Sequence, residues 1–152
     1  MNPVGPLFAG LQLRPVLAEK APNDGTTILI AEDEPDLRNL LQRLLNSAGY
    51  QVLMASDGKK ALEIVDEHKR NIDLLLSDVV MPGMSGVELA KALKSKRPEI
   101  RIILTSAYPQ GTLAMDSGWH FIKKPYFPQR LLEEVRQALS NPPEQFKPEE
   151  HQ

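Results

Sequence analysis

The chain has 152 residues, a length that suits one ordinary domain with terminal extensions. Hydrophobic residues make up 41% of it and charged residues 25%, as in typical globular proteins. The net charge of −2 gives no reason to expect binding to nucleic acid, and the lack of cysteine excludes disulfides and thiolate chemistry. No apolar run approaches the roughly 20 residues of a membrane span, and the start lacks the pattern of a secretory signal. We therefore expect a cytoplasmic protein that does not insert into membranes.

Both ends of the sequence are predicted to lie outside the folded domain. Residues 1–25 contain four prolines and a turn signal, which we interpret as a flexible extension or linker. Residues 141–152 combine Pro142-Pro143, Pro148 and charged side chains, a composition typical of a disordered tail. The predicted domain is therefore 26–140.

Between these ends, short apolar runs alternate with stretches of helical period. The predicted strands are 26–31, 51–55, 72–77, 100–105 and 119–122. The predicted helices are 35–48, 60–68, 85–96, 112–117 and 127–139. Strands that alternate with helices indicate a parallel sheet with helices on both faces, a doubly wound (βα)5 α/β fold.

Local signals mark the ends of two helices. Pro35 suits the first turn of the first helix, with Asp33 or Glu34 as its cap. Ser85, with Glu88 three residues later, has the spacing of a capping box. The helical period predicts that the leucines of the first helix face inward, namely Leu37, Leu40, Leu41, Leu44 and Leu45.

Polar side chains follow four of the predicted strands at their carboxyl ends, where ligands bind in open α/β sheets. These are Glu32 and Asp33, Asp78, Thr105 and Ser106, and Lys123 and Lys124. Carboxylates that converge repel one another, and a hard divalent cation such as Mg²⁺ relieves the repulsion through oxygen ligands. With a lysine and a hydroxyl nearby, a carboxylate nucleophile and Mg²⁺ make a site that forms an aspartyl phosphate. Each residue alone also suits a solvated loop, turn or helix cap, and only their co-occurrence favours a site.

Four motifs resemble the receiver domain of two-component response regulators, a CheY-like family, over residues 26–139. They are Ile30–Glu34, Ser77–Gly86, Ile103–Ala107 and Phe121–Pro125. The resemblance implies a flavodoxin-like, five-stranded parallel sheet with strand order 2-1-3-4-5. Leu104–Tyr108 and Phe121–Tyr126 are also similar to the receivers of hybrid sensor histidine kinases.

The resemblance implies a role for each residue at the strand ends. Asp78 is the phosphoacceptor, and the Mg²⁺ ligands are Glu32, Asp33, Asp78 and the backbone carbonyl of Val80. A histidine kinase or a histidine phosphotransfer protein would supply the phosphoryl group. The domain would be a monomer or a weak dimer that does not bind nucleic acid directly.

The remaining roles belong to the switch and the lysine. Ser106 is preferred over Thr105 as the switch hydroxyl because the small residue Ala107 follows it. Lys124, directly before Pro125, is preferred over Lys123 as the site lysine, and Phe121 takes the switch-aromatic position.

Two features depart from the family pattern. Only 17 residues separate Ser106 from Lys124, about one helical turn fewer than expected, with Pro109 and Gly111 at the start of the fourth helix. We therefore expect a short or irregular fourth helix. Val80 and Tyr108 occupy the positions that flank the route of the attacking water, which predicts a long-lived aspartyl phosphate.

Two other functions fit parts of the pattern. A phosphatase of the haloacid-dehalogenase type needs a second acid two residues after its aspartate, where this chain has Val80. A pseudo-receiver that is never phosphorylated remains the alternative to a phosphoacceptor. The resemblance implies a signalling domain rather than an enzyme. No output domain is visible in the sequence, so we expect either a stand-alone receiver or part of a larger hybrid kinase. The sequence names neither the cognate kinase nor the output.

Overall fold

The computed structural model describes residues 25–108 and 118–141, and the structural statements that follow concern these two ranges. The strands are β1 (Thr27–Ala31), β2 (Gln51–Ala55), β3 (Leu74–Asp78), β4 (Arg101–Ser106) and β5 (His120–Lys123). The helices are α1 (Pro35–Ser47), α2 (Gly58–Glu67), α3 (Gly86–Lys96) and α4 (Pro128–Ser140). All strands pair in parallel in the order β2-β1-β3-β4-β5, which confirms the predicted fold and strand order. The predicted helix at 112–117 lies outside the described residues, as do both predicted terminal segments apart from residues 25 and 141.

Most boundaries agree with the sequence pattern to within two residues, and the caps explain two of them. The Ser85 hydroxyl accepts from the Glu88 N–H at 3.1 Å, and the Glu88 carboxylate accepts from the Ser85 N–H at 3.3 Å, which confirms the capping box of α3. Helix α2 begins at Gly58 rather than at 60, because the Asp57 side chain accepts from the Lys60 N–H at 2.8 Å.

The sequence offered Asp33 or Glu34 as the cap of α1, and the structure confirms Glu34. Glu34 holds the cap position, but its side chain makes no capping hydrogen bond, and Asp33 lies one residue outside it. The Glu34 carbonyl instead accepts from the Arg38 N–H at 2.9 Å, which closes the first turn of the helix.

The sheet separates two apolar layers. Successive side chains of a strand point to opposite faces, so an uninterrupted apolar strand fills both layers. In β1, Leu29 packs with α2 and α3, while Ile28 and Ile30 pack with α1 and α4. Every residue of β1 is buried, as are the first four of β3, which places the two strands at the centre of the molecule.

Leu40 is the exception to the predicted inward face of α1. Its side chain is 52% exposed, whereas Leu41 and Leu45 are buried and Leu37 and Leu44 are partly buried. Neighbouring residues of a helix lie about 100° apart around its axis, so Leu40 points sideways when Leu41 points at the sheet. The helical period alone places Leu40 on the inward face, because the leucines of α1 cover a wide part of the helix surface.

Gly86, the first residue of α3, packs directly against the end of β3. A Cβ atom placed on Gly86 would lie 2.1 Å from the Asp78 carbonyl oxygen and 3.0 Å from the Ser77 hydroxyl. The Gly86 N–H also donates to the Val79 carbonyl at 2.8 Å. Helix and strand can approach this closely only where no side chain separates them, so Gly86 determines the backbone position of Asp78.

We expect Gly86→Ala to lower the free energy of unfolding by about 2–3 kcal/mol, since a backbone atom of Asp78 must move. Gly58→Ala is the comparison, because Gly58 also begins a helix but the three atoms nearest its added Cβ belong to the side chain of Met84, at 2.9–3.2 Å, and a side chain moves more easily than a backbone carbonyl. Urea denaturation of both variants measures the difference. Equal stability of the two variants would contradict the proposed close approach.

Candidate functional site

Four strands end at one edge of the sheet and bring the predicted polar residues to it. Asp78 is the last residue of β3 and pairs in register with Thr105. Glu32 follows β1 directly, Ser106 ends β4, and Lys124 follows β5 directly. The order of the strands places the ends of β1 and β4 on either side of Asp78.

Three carboxylates converge at this edge. One oxygen from each of Glu32, Asp33 and Asp78 lies within 4.8 Å of the other two. Glu32 is buried, Asp33 is exposed, and the Asp78 side chain is 13% exposed. The group is therefore open to solvent on the Asp33 side and closed by protein on the Glu32 side.

Hydrogen bonds hold the two less exposed members of the group, Glu32 and Asp78. The Glu34 N–H donates to Glu32 Oε2 at 3.1 Å, and Arg38 Nη1 donates to the Glu32 backbone carbonyl at 2.8 Å. The Val80 N–H faces Asp78 Oδ1 at 3.4 Å, and the Ser77 hydroxyl donates to the Asp78 carbonyl at 2.8 Å. The carboxylates are thus held close together by the backbone around them.

Lys124 connects the acidic group to the end of β4. Its backbone N–H donates to the Ser106 carbonyl at 2.8 Å. Its ammonium lies 3.1 Å from Asp78 Oδ2 and 3.5 Å from Glu32 Oε1. The peptide bond to Pro125 is cis. The lysine therefore supplies a positive charge between the two least exposed carboxylates.

Burial and charge shift the pKa values of the central groups. Burial raises the pKa of Glu32 above its ordinary value, although the Glu34 N–H and the Lys124 charge oppose this. Burial alone would lower the pKa of Lys124, but the hydrogen bond and charge of Asp78 and the charge of Glu32 give a net increase. The lysine is therefore charged at neutral pH, and burial disfavours the charge of Glu32.

The donor set fits a hard divalent cation. Three carboxylates and one ammonium leave two negative charges uncompensated when all four groups are ionised. Oxygen ligands on a partly open site suit Mg²⁺, which binds through one or two carboxylates and keeps several waters. Glu32, Asp33 and Asp78 are the residues that would hold it.

The other predicted residues are placed around this group. Val80 is 57% exposed in the loop after β3. Ser106 is buried, and its hydroxyl accepts from the Tyr108 N–H at 3.0 Å; Thr105 is also buried.

Lys123 is exposed, whereas Lys124 makes the ion pairs. Phe121 is partly buried and packs against the layer that contains α2 and α3.

Sequence reasoning missed two residues near the acidic group. Arg38 was not predicted, although asking which cation balances three successive acids would have pointed to α1. Tyr126 was also missed, and no pattern in the sequence marks it. Burial and the charges of Glu32 and Asp78 raise the pKa of Tyr126 to about 12, so its phenol stays protonated at neutral pH.

These features define a class of protein: a doubly wound α/β domain with an aspartate, two further acids and a lysine at the carboxyl edge of its sheet. The response regulator receiver domain model matches residues 28–136. The chain therefore belongs to the receiver domain family of two-component signalling systems.

Individual relatives agree with this assignment. The chain is 37% identical over 117 residues to the sensor kinase CckA of Brucella abortus, covering 74% of this chain and 12% of that kinase. The crystal structure of the receiver domain from hybrid histidine kinase CckA is 39% identical, with a TM-score of 0.66 over 74% of this chain and 98% of the other.

A third relative is the response regulator TrrA of Thermotoga maritima, solved in complex with Mg²⁺ and BeF. It is 34% identical, with a TM-score of 0.66 over 75% of this chain and 99% of the other. The first curated relatives are much longer than the matched region, which spans 12%, 31% and 45% of their lengths. Within the described residues, no helix is both long and apolar enough to cross a membrane.

We expect Glu32→Gln to stabilise the metal-free protein at pH 7. The raised pKa of Glu32 means that the folded state disfavours its charge, so stability falls as pH rises from 4.5 through the folded-state pKa. Glutamine keeps an acceptor for the Glu34 N–H without the charge. Its advantage should disappear below pH 4.5, where the wild-type carboxyl is protonated.

Urea denaturation without divalent cations, repeated across this pH range, measures the effect. Glu99→Gln, at an exposed position, is the control and should show little change. A variant Glu32→Gln that is less stable than wild type at pH 7 would show that the ion pair with Lys124 outweighs burial.

Proposed function

We propose that this chain is a phosphoacceptor domain in a phosphorelay, phosphorylated on Asp78 with the help of Mg²⁺. A single observation carries the proposal: the Asp78 carboxylate lies within reach of both the other acids and the Lys124 ammonium. The phosphoryl donor would be the phosphohistidine of a histidine kinase or of a histidine phosphotransfer protein.

In the proposed reaction, an Asp78 carboxylate oxygen attacks the phosphorus atom. A P–O bond forms, the P–N bond of the phosphohistidine breaks, and the imidazole leaves with the electron pair of that bond. Lys124, 3.1 Å from Oδ2, would offset the negative charge of the phosphoryl group that becomes bonded to Asp78. Mg²⁺ held by Glu32, Asp33, Asp78 and the Val80 carbonyl would supply positive charge to the phosphoryl oxygens.

Two further observations support this chemistry. Glu32 and Asp33 come from one strand end and Asp78 from its neighbour, so the ligand set needs no rearrangement of the fold. The relative TrrA was solved with Mg²⁺ and BeF, and at 34% identity it shares the receiver fold of this chain.

Ser106 and Phe121 would transmit the phosphorylated state. The Ser106 hydroxyl now accepts from the Tyr108 N–H at 3.0 Å, and we propose that it exchanges this bond for one to the phosphoryl group. Phe121 lies on β5, whose last residue pairs with Ser106. Phosphorylation would thereby favour a second conformation with a different protein-interaction face.

The remaining features of the proposal follow from the receiver assignment. The domain at 26–140, flanked by an extension and a tail, would act in the cytoplasm as a monomer or a weak dimer. It would not bind nucleic acid directly. It would catalyse only its own phosphorylation and dephosphorylation rather than turn over a separate substrate. The alternative is a pseudo-receiver that interacts with partners without being phosphorylated.

Intact mass spectrometry after incubation with acetyl phosphate tests the proposal. With Mg²⁺ present, the wild-type protein should gain the mass of one phosphoryl group. Asp78→Asn should abolish the gain, as should removal of Mg²⁺ with a chelator, because the first removes the nucleophile and the second removes the charge that supports transfer. Asp66→Asn, at an exposed aspartate on α2, is the control and should be phosphorylated normally. A folded wild-type protein that binds Mg²⁺ but gains no mass would favour the pseudo-receiver.

We also expect the aspartyl phosphate to be long-lived. Val80 and Tyr108 are 57% and 59% exposed, so both side chains stand at the open edge where water must approach. Replacing both by alanine should increase the rate of phosphate loss severalfold, without a loss of phosphorylation.

The decay of the phosphorylated mass in purified protein, with no phosphatase present, measures this. Leu40→Ala, which removes an exposed apolar side chain from α1, is the control and should leave the lifetime unchanged. Rapid decay of the wild-type phosphate would contradict the expectation.

A further inference from the structure

The turn between β1 and α1 concentrates negative charge. Glu32, Asp33 and Glu34 follow one another directly, and Asp36 lies in the first turn of α1. Mutual repulsion favours an open turn, which would move Glu32 and Asp33 away from Asp78. Specific contacts must therefore hold the turn in its closed shape.

Arg38 is the cationic side chain that bonds to the backbone of this turn. Its Nη1 atom donates to the Glu32 carbonyl at 2.8 Å in a partly buried position. Its backbone N–H donates to the Glu34 carbonyl at 2.9 Å. The backbone bond is the helical bond that any residue except proline would make here, so the specific contact is the guanidinium bond, which is charge-assisted and stronger than a neutral one.

The contact with Lys124 does not replace this one. Lys124 pairs with the Glu32 carboxylate, at 3.5 Å, and leaves the carbonyl to Arg38. In the proposed reaction Lys124 also has to interact with the negatively charged phosphoryl group. Arg38 makes no ion pair with the carboxylates among the contacts of the described residues, so its bond to the turn need not change during the reaction.

We propose that Arg38 is a positioning residue: it holds the Glu32-Asp33 turn in the shape that binds Mg²⁺ together with Asp78. The inference rests on the proposed function, because it assumes that these carboxylates bind Mg²⁺. Arg38 acts through the backbone of Glu32 and does not touch the metal or the phosphoryl group.

The direction of the change in Mg²⁺ affinity distinguishes a positioning role of Arg38 from a purely electrostatic one. If Arg38 acted only as a nearby cation, its removal would strengthen Mg²⁺ binding, since a competing positive charge disappears. If Arg38 positions the turn, its removal weakens Mg²⁺ binding, because the carboxylates must be ordered when the metal binds. Loss of groups that orient metal ligands lowers affinity by about 10–100-fold, and we expect roughly 3–10-fold here because the contact is to a backbone carbonyl.

The test compares the wild-type 152-residue chain with Arg38→Met, Arg38→Lys and Arg43→Met. Methionine keeps the apolar stem, lysine keeps the charge, and Arg43 is an exposed arginine of the same helix. Mg²⁺ affinity is measured by titration of amide chemical shifts, and folding by circular dichroism. The Mg²⁺ dependence of phosphorylation by acetyl phosphate is a second readout.

The expected result is a 3–10-fold (roughly) weaker Mg²⁺ affinity for Arg38→Met, a smaller loss for Arg38→Lys, and none for Arg43→Met. The Mg²⁺ concentration for half-maximal phosphorylation should rise by the same factor, while the rate at saturating Mg²⁺ changes less than about twofold. If Arg38 only stabilised the fold, Arg38→Met would be less stable but would show no selective loss of Mg²⁺ affinity.

Unchanged or tighter Mg²⁺ binding by folded Arg38→Met would overturn this inference alone. If Arg38→Met does not fold, Arg38→Lys decides the matter: wild-type affinity overturns the inference, and weaker affinity supports it. No Mg²⁺ binding by the wild-type protein would overturn the proposed function and this inference together.

Discussion

Repulsion among three carboxylates at one edge of the sheet is the constraint on which the site depends. Separated acids would be ordinary surface groups, but oxygens within 4.8 Å of one another require compensation. Lys124 supplies part of it through its contacts with Asp78 and Glu32, at 3.1 and 3.5 Å. The remaining negative charge fits the edge to a divalent cation, the ion on which the proposed phosphorylation depends.

The apolar layers make this arrangement rigid. β1 and β3 are buried on both faces, so their carboxyl ends cannot separate to relieve the repulsion. Gly86 adds a second restraint, since α3 approaches the Asp78 carbonyl too closely for any side chain to intervene. The free energy of hydrophobic packing thus offsets the repulsion among the carboxylates. Such compensation is common where function requires like charges to converge.

The end of β4 connects this site to the rest of the domain. The Ser106 carbonyl accepts from the Lys124 N–H, and the Ser106 hydroxyl accepts from the Tyr108 N–H. A change at the hydroxyl would therefore reach both the site lysine and the loop after β4. Phe121, on the neighbouring strand, packs against the layer that contains α2 and α3. These contacts join the end of β4 to Lys124 and to Tyr108.

The sequence alone determined the alternation of strands and helices, because apolar runs and helical periods are local properties of the chain. It also determined which polar residues end each strand, and the family motifs predicted the strand order. Only the tertiary structure decided which groups meet. It shows that Lys124 pairs with the acids, that Leu40 is exposed, and that Arg38 reaches the Glu32 carbonyl. Those outcomes depend on side-chain direction and on distances between segments remote in sequence, which no local pattern encodes.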